Sequence, residues 1–126
     1  MRLLIDTHLL LWAATDTLPR EAEPYFVDAN ELLFSSASIW ELVIKKSLNR
    51  PDFRLDLTAL YRGLLDNGYV ELAVTSYHTL VVADLPHIHK DPFDRILVAQ
   101  ARAEGISLLS ADKTVAQYSP VMYINS

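Results

Sequence analysis

Short unbroken apolar runs alternate along this chain with longer stretches in which apolar residues return every three or four positions. Leu3-Leu4-Ile5 is the first run and ends at Asp6-Thr7, the pattern of a strand buried on both faces whose end exposes polar side chains. His8 to Ala14 reads as a helix, Thr15 to Arg20 as a turn-rich link, and Glu21 to Asn30 as a second helix with Pro24 near its start. Glu31 to Ser35 predicts another strand. A helix follows from Ser36 or Ser38 through Ile39, Leu42, Val43 and Ile44 to Leu48, with Glu41 in its first turn. Its basic end, Lys45-Lys46, suits the negative pole of the helix dipole.

Asn49 to Leu55, with Pro51, reads as a loop, and Asp56 to Asn67 as a helix capped by Asp56 and stopped by Gly68. Tyr69 to Val74 predicts a third strand, and Thr75 or Ser76 caps a helix running to about Leu85. The clearest helix start is Asp91-Pro92. Aspartate is a favoured N-cap and proline fits the first helical position, where its missing N–H costs nothing, so Asp94 falls at the third position. Ile96, Leu97, Ala99, Gln100, Ala101 and Ala103 then leave an apolar, small-residue surface, and Gly105 closes the helix. Ile106 to Ser110 is a fourth strand delivering Asp112 just past its end. A short helix near Lys113 to Tyr118 and a last strand, Val121 to Ile124, complete the pattern. Short strands alternating with helices predict one α/β domain over residues 1–126, with a mainly parallel central sheet of four to five strands flanked by helices. No repeat, low-complexity tract or linker divides it.

Composition narrows the chemistry. With 126 residues, 51% of them hydrophobic, the chain can bury one sizeable core. The absence of cysteine excludes disulfides, thiolate catalysis and cysteine-ligated zinc. An acid at position 6 comes too early for a signal-peptide core, and no apolar run approaches the ~20 residues of a membrane span. A cytoplasmic, non-membrane protein is the expectation. A net charge of −5 argues against holding nucleic acid by a broad basic field, but not against a local patch or bound metal ions.

The acids have a pattern of their own. In parallel α/β sheets, functional groups gather outside the carboxyl ends of the strands. Asp6 and Asp112 lie just after strands, and Glu41 and Asp94 near the starts of helices entering from that edge, so all four can face one cleft. Such a cluster repels itself unless hard cations neutralise it, and oxygen-only ligation suits Mg²⁺ or Mn²⁺. Metal ions so held can clamp a phosphate and activate a water, which is chemistry for cutting a phosphodiester. Each acid also has a structural reading. Ser38-x-x-Glu41 fits a capping box, Asp112 can cap the helix beginning at Lys113, and Asp91 competes with Asp94 and is the better N-cap. Trp12, Trp40 and Phe93 read as core or interface aromatics. His87-x-His89-x-Asp91 begins the signature of metallo-β-lactamase-type zinc hydrolases, but Pro92 stands where that signature needs a second histidine. A haloacid dehalogenase-type phosphatase would need an aspartate at position 8, which is His8.

Four stretches in order carry a family resemblance: Leu4-Ile5-Asp6-Thr7-His8, Ser35 to Glu41 with Ile44-Lys45, His89 to Arg95 with Ala99-Gln100-Ala101, and Leu108 to Asp112. Together they resemble a PIN domain, and more narrowly the VapC-type toxins of bacterial toxin–antitoxin pairs. The resemblance implies a Mg²⁺- or Mn²⁺-dependent endoribonuclease whose metal-holding, catalytic acids are Asp6, Glu41, Asp94 and Asp112. Ser110 would supply a supporting hydroxyl near the metal, with Thr7 beside Asp6. Arg95 and Lys45 are candidates for contact with RNA phosphates. A metal-activated water would leave 5′-phosphate and 3′-hydroxyl ends on an RNA of the tRNA or rRNA class. A homodimer and inhibition by a cognate antitoxin protein are also implied. The alternative is a catalytically silent PIN-like module that binds protein or RNA; four intact acids argue against it, since a silent copy has no need of a repulsive cluster.

Overall fold

The computed structural model describes residues 1–48 and 55–125. Its centre is one sheet of five parallel strands: β1 (Arg2–Ile5), β2 (Glu31–Ser35), β3 (Val70–Leu72), β4 (Ser107–Ser110) and β5 (Val121–Tyr123), in the order β3-β2-β1-β4-β5. The chain builds outward from β1 to β2 and β3, then returns to β1's other side with β4 and β5. Strand order therefore reverses between β1 and β4, where Leu4 pairs with Leu108 and Ile5 with Leu109. That switch point opens a crevice at the carboxyl ends of both strands.

Helices α1 (Thr7–Ala14), α2 (Ser36–Ser47), α3 (Leu57–Asp66), α4 (Ser76–Val82) and α5 (Pro92–Glu104) cover both faces. Alternate residues of a strand face opposite sides. Leu3, Ile5, Phe34 and Leu109 accordingly pack with Leu9, Leu10, Leu42, Leu60 and Leu64 of α1, α2 and α3. Leu4, Leu33 and Leu108 point the other way, into Leu97, Val98 and Ala101 of α5 with Leu85, Val115 and Tyr118. Burial on both faces is why the strands read as unbroken apolar runs.

Local chemistry sets most boundaries. Asp56 Oδ1 accepts the Ala59 N–H at 3.0 Å, and Gly68 (φ 85°) and Gly105 (φ 67°) take the left-handed conformation that ends α3 and α5. Asp91 Oδ1 accepts the N–H groups of Phe93 and Asp94, so α5 begins at Pro92 as expected.

Several elements differ from expectation. The helix expected over Glu21 to Asn30 is a six-residue 3-10 segment, Arg20–Tyr25, because Pro24 lacks an N–H and crowds the preceding turn. The third strand shrinks to Val70–Leu72, α4 stops at Val82, and the Lys113 to Tyr118 helix is one 3-10 turn, Val115–Gln117. Of the two expected starts α2 takes Ser36, capped by Ser35, which accepts the Ala37 N–H at 3.0 Å. Glu41 thereby falls in the second turn, and the Ser38–Glu41 capping box does not form. Ser38 is buried and instead accepts a hydrogen bond from Thr7 Oγ1 at 2.9 Å. The loop expected over Asn49 to Leu55 lies, but for Leu55, outside the described residues.

Candidate metal centre

The switch-point crevice collects the acids. Asp6 leaves β1 and is 6% exposed; its Oδ1 accepts the Leu9 N–H at 2.9 Å and so caps α1. Burial raises its pKa, opposed by hydrogen bonds from the Ser110 hydroxyl and the Leu9 backbone. Ser110, fully buried at the end of β4, also accepts the Asp112 N–H at 3.1 Å, so one hydroxyl touches two of the four acids. Asp112 divides its carboxylate. Oδ1 accepts the N–H groups of Thr114 and Val115 at 2.7 and 3.1 Å, while Oδ2 turns toward the crevice.

Asp94, in the first turn of α5, is the electrostatic centre. Its pKa is pushed up to about 7, first by burial and then by the negative charges of Asp91, Glu41, Asp112 and Asp6. The other three expected acids thus all act on Asp94, from elements distant in sequence. Glu41 Oε2 lies 3.4 Å from Lys45 Nζ one helical turn away, and Glu41 Oε1 is buried with no hydrogen-bond partner among the described residues. A buried carboxylate oxygen without a donor is costly, more so with the Asp94 carboxylate close enough to feel its charge. An oxygen-rich donor set with such an orphaned atom fits a hard divalent cation.

Some expected residues serve elsewhere. Arg95, expected at RNA, is tied into the fold: Nη1 donates to the Pro86 carbonyl and the Tyr118 hydroxyl at 3.0 and 3.1 Å, and Nη2 to the Val82 carbonyl at 3.1 Å. Lys45 is held by Glu41. Trp40 is not a core residue. It is 62% exposed and meets Phe93 edge to face at 5.5 Å, the pair lining an apolar groove with Ile44 and Ile96.

His89 is the residue whose place the sequence did not convey. Its Nε2 lies 3.1 Å from Asp94 Oδ2 and 3.9 Å from Asp112 Oδ2. Its Nδ1 accepts the Asp91 N–H at 3.0 Å. The signal was its spacing. Two residues before an N-cap, a histidine can accept the cap's own N–H and fold its ring over the first turn, above the acid at the third helical position. The zinc-hydrolase pattern is not realised, because among the described residues the grouping that could hold a metal joins His89 to Asp94 and Asp112, without His87.

The profile of the PIN domain family matches residues 3–119. The chain belongs to the PIN domain family. Among curated proteins none matches it significantly. The PIN domain is similar in structure to a chain of VapBC2 from Rickettsia felis, bound to a DNA fragment from its promoter, with a TM-score of 0.72 at 14% identity over 98% of this chain and 97% of that one. A chain of DNA-bound VapBC from Salmonella typhimurium gives 0.71 at 12% identity over 98% of both chains. A toxin–antitoxin complex from Klebsiella pneumoniae gives 0.66 at 19% identity, again over 98% of both. No helix among the described residues of this PIN domain is long and apolar enough to cross a membrane.

Proposed function

We propose that this PIN domain is a Mg²⁺- or Mn²⁺-dependent endoribonuclease acting as the VapC-type toxin of a toxin–antitoxin pair. The observation that carries the reading is the cluster itself: Asp6, Glu41 and Asp112 all act on the Asp94 carboxylate, and the buried Glu41 Oε1 lacks any partner among the described residues. Asp6, Asp94 and Asp112 would hold the cation, with Glu41 as a further ligand or as the base that orients water. Once bound, the ion supplies charge neutralisation for a phosphodiester and acidity to a water. Asp6 is held rigid by the α1 N-terminus and the Ser110 hydroxyl, so its carboxylate needs little reorganisation on binding. In this reading Glu41 takes the proton of the attacking water as the new O–P bond forms. The P–O3′ bond breaks, and the leaving 3′ oxygen takes up a proton. The similarity to VapBC and toxin–antitoxin complexes supports an antitoxin protein as partner and a cytoplasmic setting; a homodimer and a tRNA or rRNA substrate extend the same reading.

The test is incubation of purified, antitoxin-free protein with a tRNA and rRNA pool in Mg²⁺, Mn²⁺ or EDTA, with the new ends mapped. Discrete metal-dependent cuts carrying 5′-phosphates are expected. Folded protein that cuts nothing and whose melting temperature ignores Mn²⁺ would instead favour a silent binding module.

A further inference from the structure

The His89 ring stands among the acids without being one. Its Nε2, an Asp94 oxygen and an Asp112 oxygen all lie within 4.8 Å of one another, a spacing at which imidazole would serve equally well as a metal ligand or as a hydrogen-bond donor. The other side of the ring decides between these. A neutral imidazole has one N–H and one bare nitrogen. Nδ1 receives the Asp91 backbone N–H at 3.0 Å, so Nδ1 is the bare nitrogen and the proton sits on Nε2, facing Asp94 Oδ2 at 3.1 Å. A protonated nitrogen has no lone pair to give. Ligation through Nε2 would move the proton to Nδ1, where it would meet the Asp91 N–H head-on.

We propose that His89 is a positioning residue, which holds the Asp94 carboxylate for the cation and is not itself a ligand.

The surrounding frame is built for that task. The His89 N–H and the Ile88 N–H both donate to the Tyr118 hydroxyl, at 2.9 and 3.1 Å, and that hydroxyl donates to the Pro86 carbonyl at 2.9 Å. Arg95 donates to the same hydroxyl and the same carbonyl, locking the loop to α5. Asp94 belongs to α5 and Asp112 to the turn after β4, so no backbone ladder fixes one carboxylate relative to the other. The His89 ring reaches the first of them: its Nε2 lies 3.1 Å from Asp94 Oδ2, and 3.9 Å, beyond hydrogen-bond reach, from Asp112 Oδ2. By occupying Asp94 Oδ2 it fixes the rotation of that carboxylate, and groups that orient metal ligands in this way are worth roughly ten- to a hundredfold in metal affinity.

The inference rests on the metal reading, so the experiment must separate the two. Metal-stripped full-length wild type, His89→Ala and His89→Gln are titrated calorimetrically with Mn²⁺ and Ni²⁺. Nitrogen ligands favour Ni²⁺ strongly over Mn²⁺. A positioning role weakens both ions by a similar factor of about ten to a hundred in His89→Ala, with much of the loss recovered in His89→Gln, whose amide N–H₂ reaches a similar point. In the cleavage assay, His89→Ala should need about tenfold more Mg²⁺ but approach the wild-type plateau. A loss selective for Ni²⁺, or unaltered Mn²⁺ binding in His89→Ala, overturns the proposal and leaves the metal reading standing. Wild type that binds no Mn²⁺ overturns both. The imidazole ¹⁵N spectrum of the wild type needs no variant to fold: the proton on Nε2 should persist when Mg²⁺ saturates the site, and its loss would overturn the proposal.

Discussion

Two histidines in this domain, one buried and one half-buried, each accept a backbone N–H on Nδ1 and turn Nε2 toward a carboxylate, in different company. His78, 2% exposed, accepts the Thr75 N–H on Nδ1 at 3.0 Å and presents Nε2 to Glu104 Oε2 at 2.9 Å. His89 accepts the Asp91 N–H at the same distance and presents Nε2 to Asp94. Each cluster even contains one side-chain oxygen buried without a partner among the described residues, Gln100 Oε1 beside His78 and Glu41 Oε1 near Asp94. The difference is arithmetic. The His78 N–H meets one carboxylate, whereas His89 Nε2 lies 3.1 Å from Asp94 and 3.9 Å from Asp112, with Asp6, Glu41 and Asp91 also acting on Asp94. A cluster that balances its donors against its acceptors is a lock; a cluster in surplus of negative charge wants a cation.

The largest effect should come from removing one acid of the surplus. Asp6→Asn keeps a side-chain oxygen to cap α1, so the fold should survive. Cleavage should fall by more than about a hundredfold, the upper end for even a supporting residue around a metal. Initial rates on a defined RNA, with circular dichroism to verify folding, decide it; near-normal activity in folded Asp6→Asn would remove the acid cluster from the mechanism. The balanced cluster should respond in the opposite way. His78→Ala deprives the Thr75 N–H and Glu104 of their partner and opens a cavity between α4 and α5, costing about 2–3 kcal/mol in urea unfolding while Mn²⁺ affinity stays unchanged.

This contrast also marks what a sequence can disclose. Asp91, Pro92, Asp94 and Gly105 settle α5 from end to end because caps and breakers act within a few residues of themselves. The strands were legible because burial on both faces leaves unbroken apolar runs, and the Asp6 and Asp112 positions followed from where those runs stop. The choice between capping and ligand roles was a false one, since a carboxylate has two oxygens: Asp6 and Asp112 each use Oδ1 for a cap, and Asp112 turns Oδ2 to the crevice. What stayed hidden depends on contacts between distant segments. The Arg95 guanidinium is consumed by carbonyls of the 82–86 segment, and the reach of His89 to Asp112 exists only once β4 lies beside α5. Over Glu21 to Asn30 the cause is local: Pro24 lacks the N–H that a full helix needs, and the segment closes as a 3-10 turn ending at Tyr25.

The surplus should also be visible in stability against pH without any metal. The Asp94 pKa is raised from the model-compound value of 3.8 to about 7, chiefly by burial, so the folded state holds its proton more tightly than the unfolded chain does. Folding stability attributable to Asp94 is then fully present below about pH 4. It is lost progressively as pH rises toward 7 and stays lost above that. Asp94→Asn escapes the loss. Above pH 7 the metal-free variant should be more stable than wild type by on the order of 1–2 kcal/mol, a figure discounted because the carboxylate is partly screened by solvent. Urea melts at pH 4 and pH 8 measure it. Addition of Mn²⁺ at pH 8 should reverse the ranking by stabilising wild type alone. A variant no more stable than wild type at pH 8 would mean that the acids do not strain the metal-free fold.

The smallest effect tests the parallel at its weakest point, the two orphaned oxygens. Gln100 is fully buried, and its Nε2 makes only long bonds, 3.3 Å to the Leu72 carbonyl and 3.4 Å to His78 Nδ1. Because Oε1 is neutral, leaving it unpartnered costs far less than stranding a carboxylate oxygen. Methionine is similar in size, unbranched and apolar, so Gln100→Met exchanges two weak donations for relief of one unsatisfied acceptor and should change stability by no more than about 1 kcal/mol. The metal-free urea midpoint, with Mn²⁺ affinity unchanged, is the measurement. If Gln100→Met instead costs 3 kcal/mol or more, the amide belongs to a cooperative network. An orphaned buried oxygen would then be a poor guide to a missing ligand in this fold, Glu41 Oε1 included, and the case for a cation would rest on the mutual repulsion of the acids alone.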